Sequence, residues 1–315
     1  MPVAAAVDAW RWQPHPEVWF LVLGVVGLSL YVTRVIGPKV VPEGQPVLTR
    51  FQRVNLVLGI LTLWLASDWP LHDLGEDYLF SLHMTQHLLL SYVMPVFFLL
   101  ATPPWLARLV VPAGSTSYRW LRRFSRPLVA GLLFNAVVVF THWPELVNVA
   151  VTIGPLHYAL HILVVVTAVL MWMPVLGPFA EWRMASPLAV GYLFAMSLLP
   201  TVPASWLIFA DGSVYNVYDT AFRLWGVSVT SDQQAAGVMM KLGGGYFLWS
   251  VMAVIFFRWA YAHQSGDPAR IEATRTGRFD KEERPGSLTY GEVEAAFTAA
   301  GDAPVEPHSS TRPRP

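Results

Sequence analysis

The chain has 315 residues, 54% of them hydrophobic and only 13% charged, about half the charged share of a soluble globular protein. Lys plus Arg balance Asp plus Glu at 21 each, so no basic field marks a nucleic-acid partner, and none is expected. The absence of cysteine removes disulfides, thiolate metal sites, iron–sulfur clusters and Cys nucleophiles together, leaving His, Met and carboxylate as the side chains able to hold a metal.

The first residues, up to His15 and Pro16, lack a basic start followed by an apolar run and a small-residue cleavage site, so no cleaved signal peptide is expected. Crossing a bilayer takes about 20 predominantly apolar residues in a helix. Seven stretches come close: Val18–Ile36, Phe51–Ala66, Leu79–Ala101, Leu128–Trp143, Leu156–Leu176, Pro187–Phe209 and Ala235–Tyr261. They predict an all-α, polytopic membrane protein, a bundle of seven transmembrane helices in contact with lipid. The second and fourth are short. Pro95, Pro200 and Pro203 fall inside apolar runs, as membrane helices tolerate when neighbours satisfy the freed carbonyls. Tryptophan is abundant at 14 copies, which suits rings placed at the membrane–water boundary. From about His263 the chain turns polar, mixed in charge and punctuated by Pro and Gly. Residues 1–262 therefore read as a seven-span membrane domain and 263–315 as a polar, mostly disordered cytoplasmic tail, with room for a short helix around Tyr290–Ala300.

Basic residues in short loops orient the bundle. The first loop carries Arg34, Lys39, Arg50 and Arg53; the third carries Arg108, Arg119, Arg122, Arg123 and Arg126; the fifth has Arg183, and Arg258 opens the segment after the last span. The alternate loops are acidic. Loop two has Asp68, Asp73, Glu76 and Asp77, loop four only Glu145, and loop six Asp211, Asp219 and Asp232 with a lone Arg223. This asymmetry places the N-terminus outside and the C-terminus in the cytoplasm.

Of nine histidines, only His263 and His308 fall on the cytoplasmic side of that topology. His15, His72, His83, His87, His142, His157 and His161 map to the outer loops or the outer ends of spans. His83 and His87 stand four apart in the third span, and His157 and His161 repeat the spacing in the fifth. Residues at i and i+4 share a helix face, so two such faces turned together would bring four imidazoles into one pocket. Imidazole suits copper, zinc and iron, and ionisable groups within a membrane segment are costly enough to point to function. A lone histidine there would more simply bond a carbonyl or water; a doubled pair at one depth is harder to explain that way.

Weaker candidates surround these pairs. His142 ends the fourth span beside Trp143, as interfacial anchor or further ligand. Met239 and Met240 lie at similar depth in span seven, where thioether would select copper(I), although methionine often only fills gaps. Met84 faces away from the His83/His87 stripe and reads as packing. His72 and Asp68, with the rest of the acidic loop, would attract a cation, but an ordinary solvated loop carries the same charges. Asp232 suits the positive end of its own helix and also stands within reach of a ligating histidine. Lys241 has room to snorkel outward, and a lysine in the last of seven spans also raises retinal; Gly243, Gly244 and Gly245 beside it permit close helix approach. No nucleophile–base pair, phosphate loop or dinucleotide fingerprint appears, and no enzymatic activity is expected. The enzymatic alternative is a membrane metalloenzyme using the same histidines, a zinc hydrolase with Asp68 or Asp232 as base, or a haem redox protein.

The run His83-Met84-Thr85-Gln86-His87-Leu88-Leu89, then His142-Trp143-Pro144, His157-x-x-x-His161, Met171-Trp172-Met173-Pro174-Val175-Leu176-Gly177-Pro178 and Asp232-Gln233-Gln234-x-x-Gly237-x-Met239-Met240 resemble the multi-spanning bacterial cytochrome c oxidase assembly factors called CtaG. The resemblance covers about residues 15–262 and leaves out the tail. It implies a metallochaperone of the bacterial inner membrane that binds copper and helps deliver it to cytochrome c oxidase subunits. It further implies His83, His87, His157 and His161 as ligands, with His142 and Asp232 nearby. A homo-oligomer stays open.

Overall fold

The computed structural model describes residues 9–219 and 223–266. Among the described residues every regular element is helical. In chain order these are α1 (Pro16–Val40), α2 (Arg50–Ser67), α3 (Leu71–Asp77), α4 (Phe80–Ala101), α5 (Pro104–Val110), α6 (Thr116–Phe124), α7 (Pro127–Thr141), α8 (Pro144–Ala150), α9 (Gly154–Leu176), α10 (Ser186–Leu198), α11 (Thr201–Ile208) and α12 (Val229–Gln264).

Local chemistry sets many of the starts. Proline in the first turn opens α1, α5, α7, α8, α9 and α10, where its missing N–H would have no helical partner anyway. Thr49 and Gln52 form a reciprocal capping box at α2, and the Ser115 and Ser228 hydroxyls cap α6 and α12. α4 has no cap of its own, because its cap comes from α12. The π-turns at Val32–Ile36, Leu89–Val93 and Met239–Gly243 interrupt α1, α4 and α12. Such bulges leave carbonyls out of register. In α4 the carbonyl of Ser91 is taken by the indole of the fully buried Trp172 on α9, at 3.2 Å.

Among the described residues six helical stretches are long and apolar enough to cross a membrane: Pro16–Val40, Arg50–Asp77, Phe80–Ala101, Gly154–Leu176, Ser186–Ile208 and Val229–Gln264. The expected fourth span, Leu128–Trp143, becomes α7, which has only 15 residues and so reaches roughly 22 Å against a hydrocarbon core of about 30 Å. It counts as a seventh span only when joined to α6, from which it is bent by 69°. The break has a local cause: proline disfavours the α conformation in the residue before it, so Pro127 forces a new start after Arg126. α10 and α11 likewise make one span broken near Pro200. The helices turn large side chains such as Phe20, Leu128 and Phe209 outward, each nearly four-fifths exposed. Such surface is costly in water and stable against acyl chains, so this is a multi-pass membrane protein.

α4 sits at the centre. α2 packs along its second half, α3 and the start of α12 lie against its first turns, and α9 runs beside it. One end of the bundle gathers Trp105, Arg108, Tyr118, Glu181 and Trp182; the Arg108 guanidinium bonds Glu181, and Trp105 donates to the Val47 carbonyl at 3.0 Å. The opposite end holds His15, Asp68, Asp73 and Glu76. The expected tail lies, from residue 267 on, outside the described residues.

Candidate metal centre

The centre is built where α3 folds back onto the start of α4. Leu71–Asp77, which reads in the sequence as a solvated acidic loop, is a helix whose Asp73, Leu74 and Gly75 are buried. Gly75 makes the approach possible: a Cβ there would stand 2.9 Å from the His83 backbone nitrogen and 3.1 Å from its Cα. The carboxylate of the next residue, Glu76, is thereby aimed into the bundle. It lies 3.1 Å from His83 Nδ1, 3.1 Å from His157 Nε2 and 4.0 Å from His161 Nε2. One ligand atom from each of Glu76, His83, His157 and His161 falls within 4.8 Å of the other three.

The i,i+4 pairs do face each other. The rings of His83 and His161 are 5.4 Å apart between centroids, those of His87 and His161 4.5 Å, and the two Nε2 atoms of His83 and His87 are 3.0 Å apart. A divalent ion with nitrogen and oxygen ligands at about 2.1 Å spaces tetrahedral ligands roughly 3.4 Å apart. The contacts of Glu76 with His83 and His157 are already near that spacing, and its contact with His161 is longer. The His161 Nε2 is buried without a hydrogen-bond partner, as is the hydroxyl of Tyr218, which lines the same cavity. Buried polar atoms normally have partners, so these orphans fit a metal ion and a water or substrate ligand. The cavity holds about 40 Å³, room for an ion or a water.

The α4 residues before His83 are held from a distance. Asp232, at the start of α12, accepts from the backbone N–H groups of Phe80 (2.7 Å) and Ser81 (3.1 Å). Asp232 therefore caps the helix that carries His83 rather than touching a ligand, and it adds to the expected role at its own helix start. The Phe80 ring stacks on the His83 imidazole and packs against Tyr215 and Tyr218. Gln233, fully buried, accepts from Val214 N and donates to Tyr215 O, holding the Tyr215 backbone.

The remaining candidates scatter. His72 stands at the rim, its Nδ1 3.1 Å from the Gln86 amide nitrogen and 4.0 Å from Glu76. Asp68 does not reach the centre; its carboxylate accepts from the indoles of Trp19 and Trp64 and from the Trp69 backbone. His142 is buried next to His87 in a neighbouring cavity with Met240, while Met239 is half-exposed and accepts from Thr85 at 3.2 Å. Met84 packs in the core as expected, but it also lines both cavities, since α4 has neighbours all round and the direction away from its histidine stripe is still inward. The Lys241 ammonium donates to Thr201 at 2.5 Å. Gly243 and Gly244 lie against Leu88 and Tyr92 of α4. Glu76 is the site residue that the sequence did not single out. Its signal was His72-x-x-x-Glu76, an i,i+4 pair within a run whose Leu71 and Leu74 keep a helical period.

No curated protein and no solved structure matches the chain. A family model described as cytochrome c oxidase caa3 assembly factor matches residues 30–262, more than two thirds of the sequence, and the chain belongs to that family.

Proposed function

We propose that this cytochrome c oxidase assembly factor binds copper among Glu76, His83, His157 and His161, with His87 in contact, and passes it to an oxidase subunit. The observation that carries this reading is the convergence of three imidazoles and one carboxylate from three helices on a space the size of an ion. An N/O set of this kind suits copper(II) or zinc. Exchange suits a carrier better than turnover does. The carboxylate comes from α3, a seven-residue helix at the bundle end, so one ligand can withdraw while the imidazoles stay.

In this reading residues 1–262 form a membrane domain that crosses the bacterial inner membrane seven times, with α6 and α7 as one bent span. The acidic end with the histidines faces outward, the basic end faces the cytoplasm, and 263–315 is a cytoplasmic tail. The charge asymmetry of the loops supports it. A second reading shares the same geometry: zinc on His83, His157 and His161, with Glu76 as the base for a bound water.

The test is genetic. Cells lacking the protein are expected to assemble an oxidase depleted in copper. The wild-type chain should restore it and His157→Ala/His161→Ala should not, at equal abundance in the membrane. Full restoration by the double variant would overturn the proposal, and a copper-independent hydrolase activity lost with Glu76→Gln would favour the second reading.

A further inference from the structure

A donor set of different chemistry stands beside the Glu76 centre. His142 follows α7 and is buried, and its Nδ1 lies 2.6 Å from the carbonyl oxygen of Val138. A carbonyl only accepts, so Nδ1 carries the proton. Among the described residues no carboxylate is bonded to this ring, and a buried imidazolium without a counter-ion is costly, so the ring is neutral. Its Nε2 therefore presents a bare lone pair.

That lone pair faces the thioether sulfur of Met84 at 3.4 Å. Sulfur in a thioether has no proton to give. Two acceptors are thus held against each other in a buried cavity with no hydrogen between them, an arrangement that a cation relieves. Metal–nitrogen and metal–sulfur bonds of about 2.0 and 2.3 Å span that separation at an angle of roughly 105°, within the range of trigonal and tetrahedral sites. Met240 and His87 border the same cavity of about 40 Å³, which also reaches Ser91 and Tyr92 farther along α4. Thioether and imidazole without carboxylate form a soft set, selective for copper(I) over the divalent ions that an N/O set takes.

We propose that Met84 and His142, with Met240 bordering the same cavity, form a second site for a monovalent soft ion, copper(I), deeper along α4 than the Glu76 centre. The two cavities adjoin, sharing Met84, His87, Thr141 and His142 in their walls. The choice of copper rests on the reading above; the donor pair stands apart from it.

The experiment loads the full chain in detergent with copper(I), anaerobically and against a competing chelator, and records the copper X-ray absorption edge. The wild type should show a sulfur scatterer at about 2.3 Å. Glu76→Gln/His157→Ala, which dismantles the first centre, should keep it. Met84→Leu, a volume-conserving change that the core tolerates, should weaken copper(I) binding at least tenfold while copper(II) affinity stays within twofold. A shell of nitrogen and oxygen alone in the wild type, or unchanged copper(I) affinity in a folded Met84→Leu protein, would overturn the second site. Loss of copper(II) binding by the wild type alone, with the sulfur-bearing copper(I) site intact, would instead overturn the Glu76 centre.

Discussion

Replacing Gly75 with alanine tests how the centre is positioned without touching a ligand. The added Cβ would stand 2.9 Å from the nitrogen of His83, 3.1 Å from its Cα and 3.2 Å from the Leu82 carbonyl carbon. All three are backbone atoms and cannot rotate aside. Comfortable carbon contacts begin near 3.5 Å, so α3 must withdraw by roughly 0.5–1 Å. The Glu76–His83 contact, now 3.1 Å, then opens to roughly 3.6–4.1 Å, beyond hydrogen-bond range. Overpacking of this kind costs about 1–3 kcal/mol, which leaves the bundle folded. Losing the alignment of one ligand is expected to weaken copper(II) about 10–100-fold, the scale seen when ligand support is removed. The assay is competition against a chelator in detergent, with thermal unfolding measured on the same samples. A folded Gly75→Ala protein with wild-type copper affinity would refute the argument that this close approach sets Glu76.

Further changes separate charge, capping and the N-terminal segment. Glu76→Gln keeps the size of the side chain but removes its charge, and should lower copper(II) affinity at least tenfold in the same competition assay; retained affinity would remove Glu76 from the ligand set. Asp232→Ala leaves the Phe80 and Ser81 N–H groups buried without a partner and should cost about 1–3 kcal/mol, seen as a lower unfolding midpoint; an unchanged midpoint would contradict the capping role. His15 bonds Asp73 at 2.5 Å, and in the same segment the Trp10 ring packs against Trp69 and Trp225. Burial alone would lower the His15 pKa, but the hydrogen bond and charge of Asp73, then those of Glu17, outweigh it and the value is raised. A raised pKa contributes stability that is complete below about 6.5 and lost as pH climbs through the folded value. Hydrogen exchange of residues 10–15 should therefore accelerate as pH rises above that range, beyond the intrinsic base catalysis of exchange. His15→Ala should show fast exchange throughout; an identical profile in that variant would contradict the role of the His15–Asp73 bond.

What could be read from the chain follows from how far each signal reaches along it. The pairs His83/His87 and His157/His161 are local, fixed by the helical repeat, and their meeting needed only two neighbouring helices at one depth. Glu76 depended on a tertiary event. A seven-residue helix gives only a faint periodicity, carried by Leu71, Leu74 and the His72/Glu76 pair, and its burial comes from Gly75 meeting the α4 backbone, a tertiary contact. Met84 was legible as a packing residue; that it also lines both cavities was not, because a helical wheel divides a helix into one inner face and one outer, whereas α4 has neighbours on every side. The fourth span was legible as a helix but not as a complete crossing: the helix starting at Pro127 ends at Thr141 and bends sharply from α6, so it reaches a span's length only together with α6. Asp232 was legible as a helix-start carboxylate; that it serves a second helix was not.

The decisive measurement is copper(II) bound per chain at limiting metal, with pulsed electron paramagnetic resonance to identify the coordinating atoms. Three imidazoles gathered on one carboxylate predict a single copper(II) per wild-type chain, coupled to histidine nitrogens, and its loss in His157→Ala/His161→Ala with the fold intact. Equal copper in the double variant, or a signal without imidazole couplings, would contradict the account.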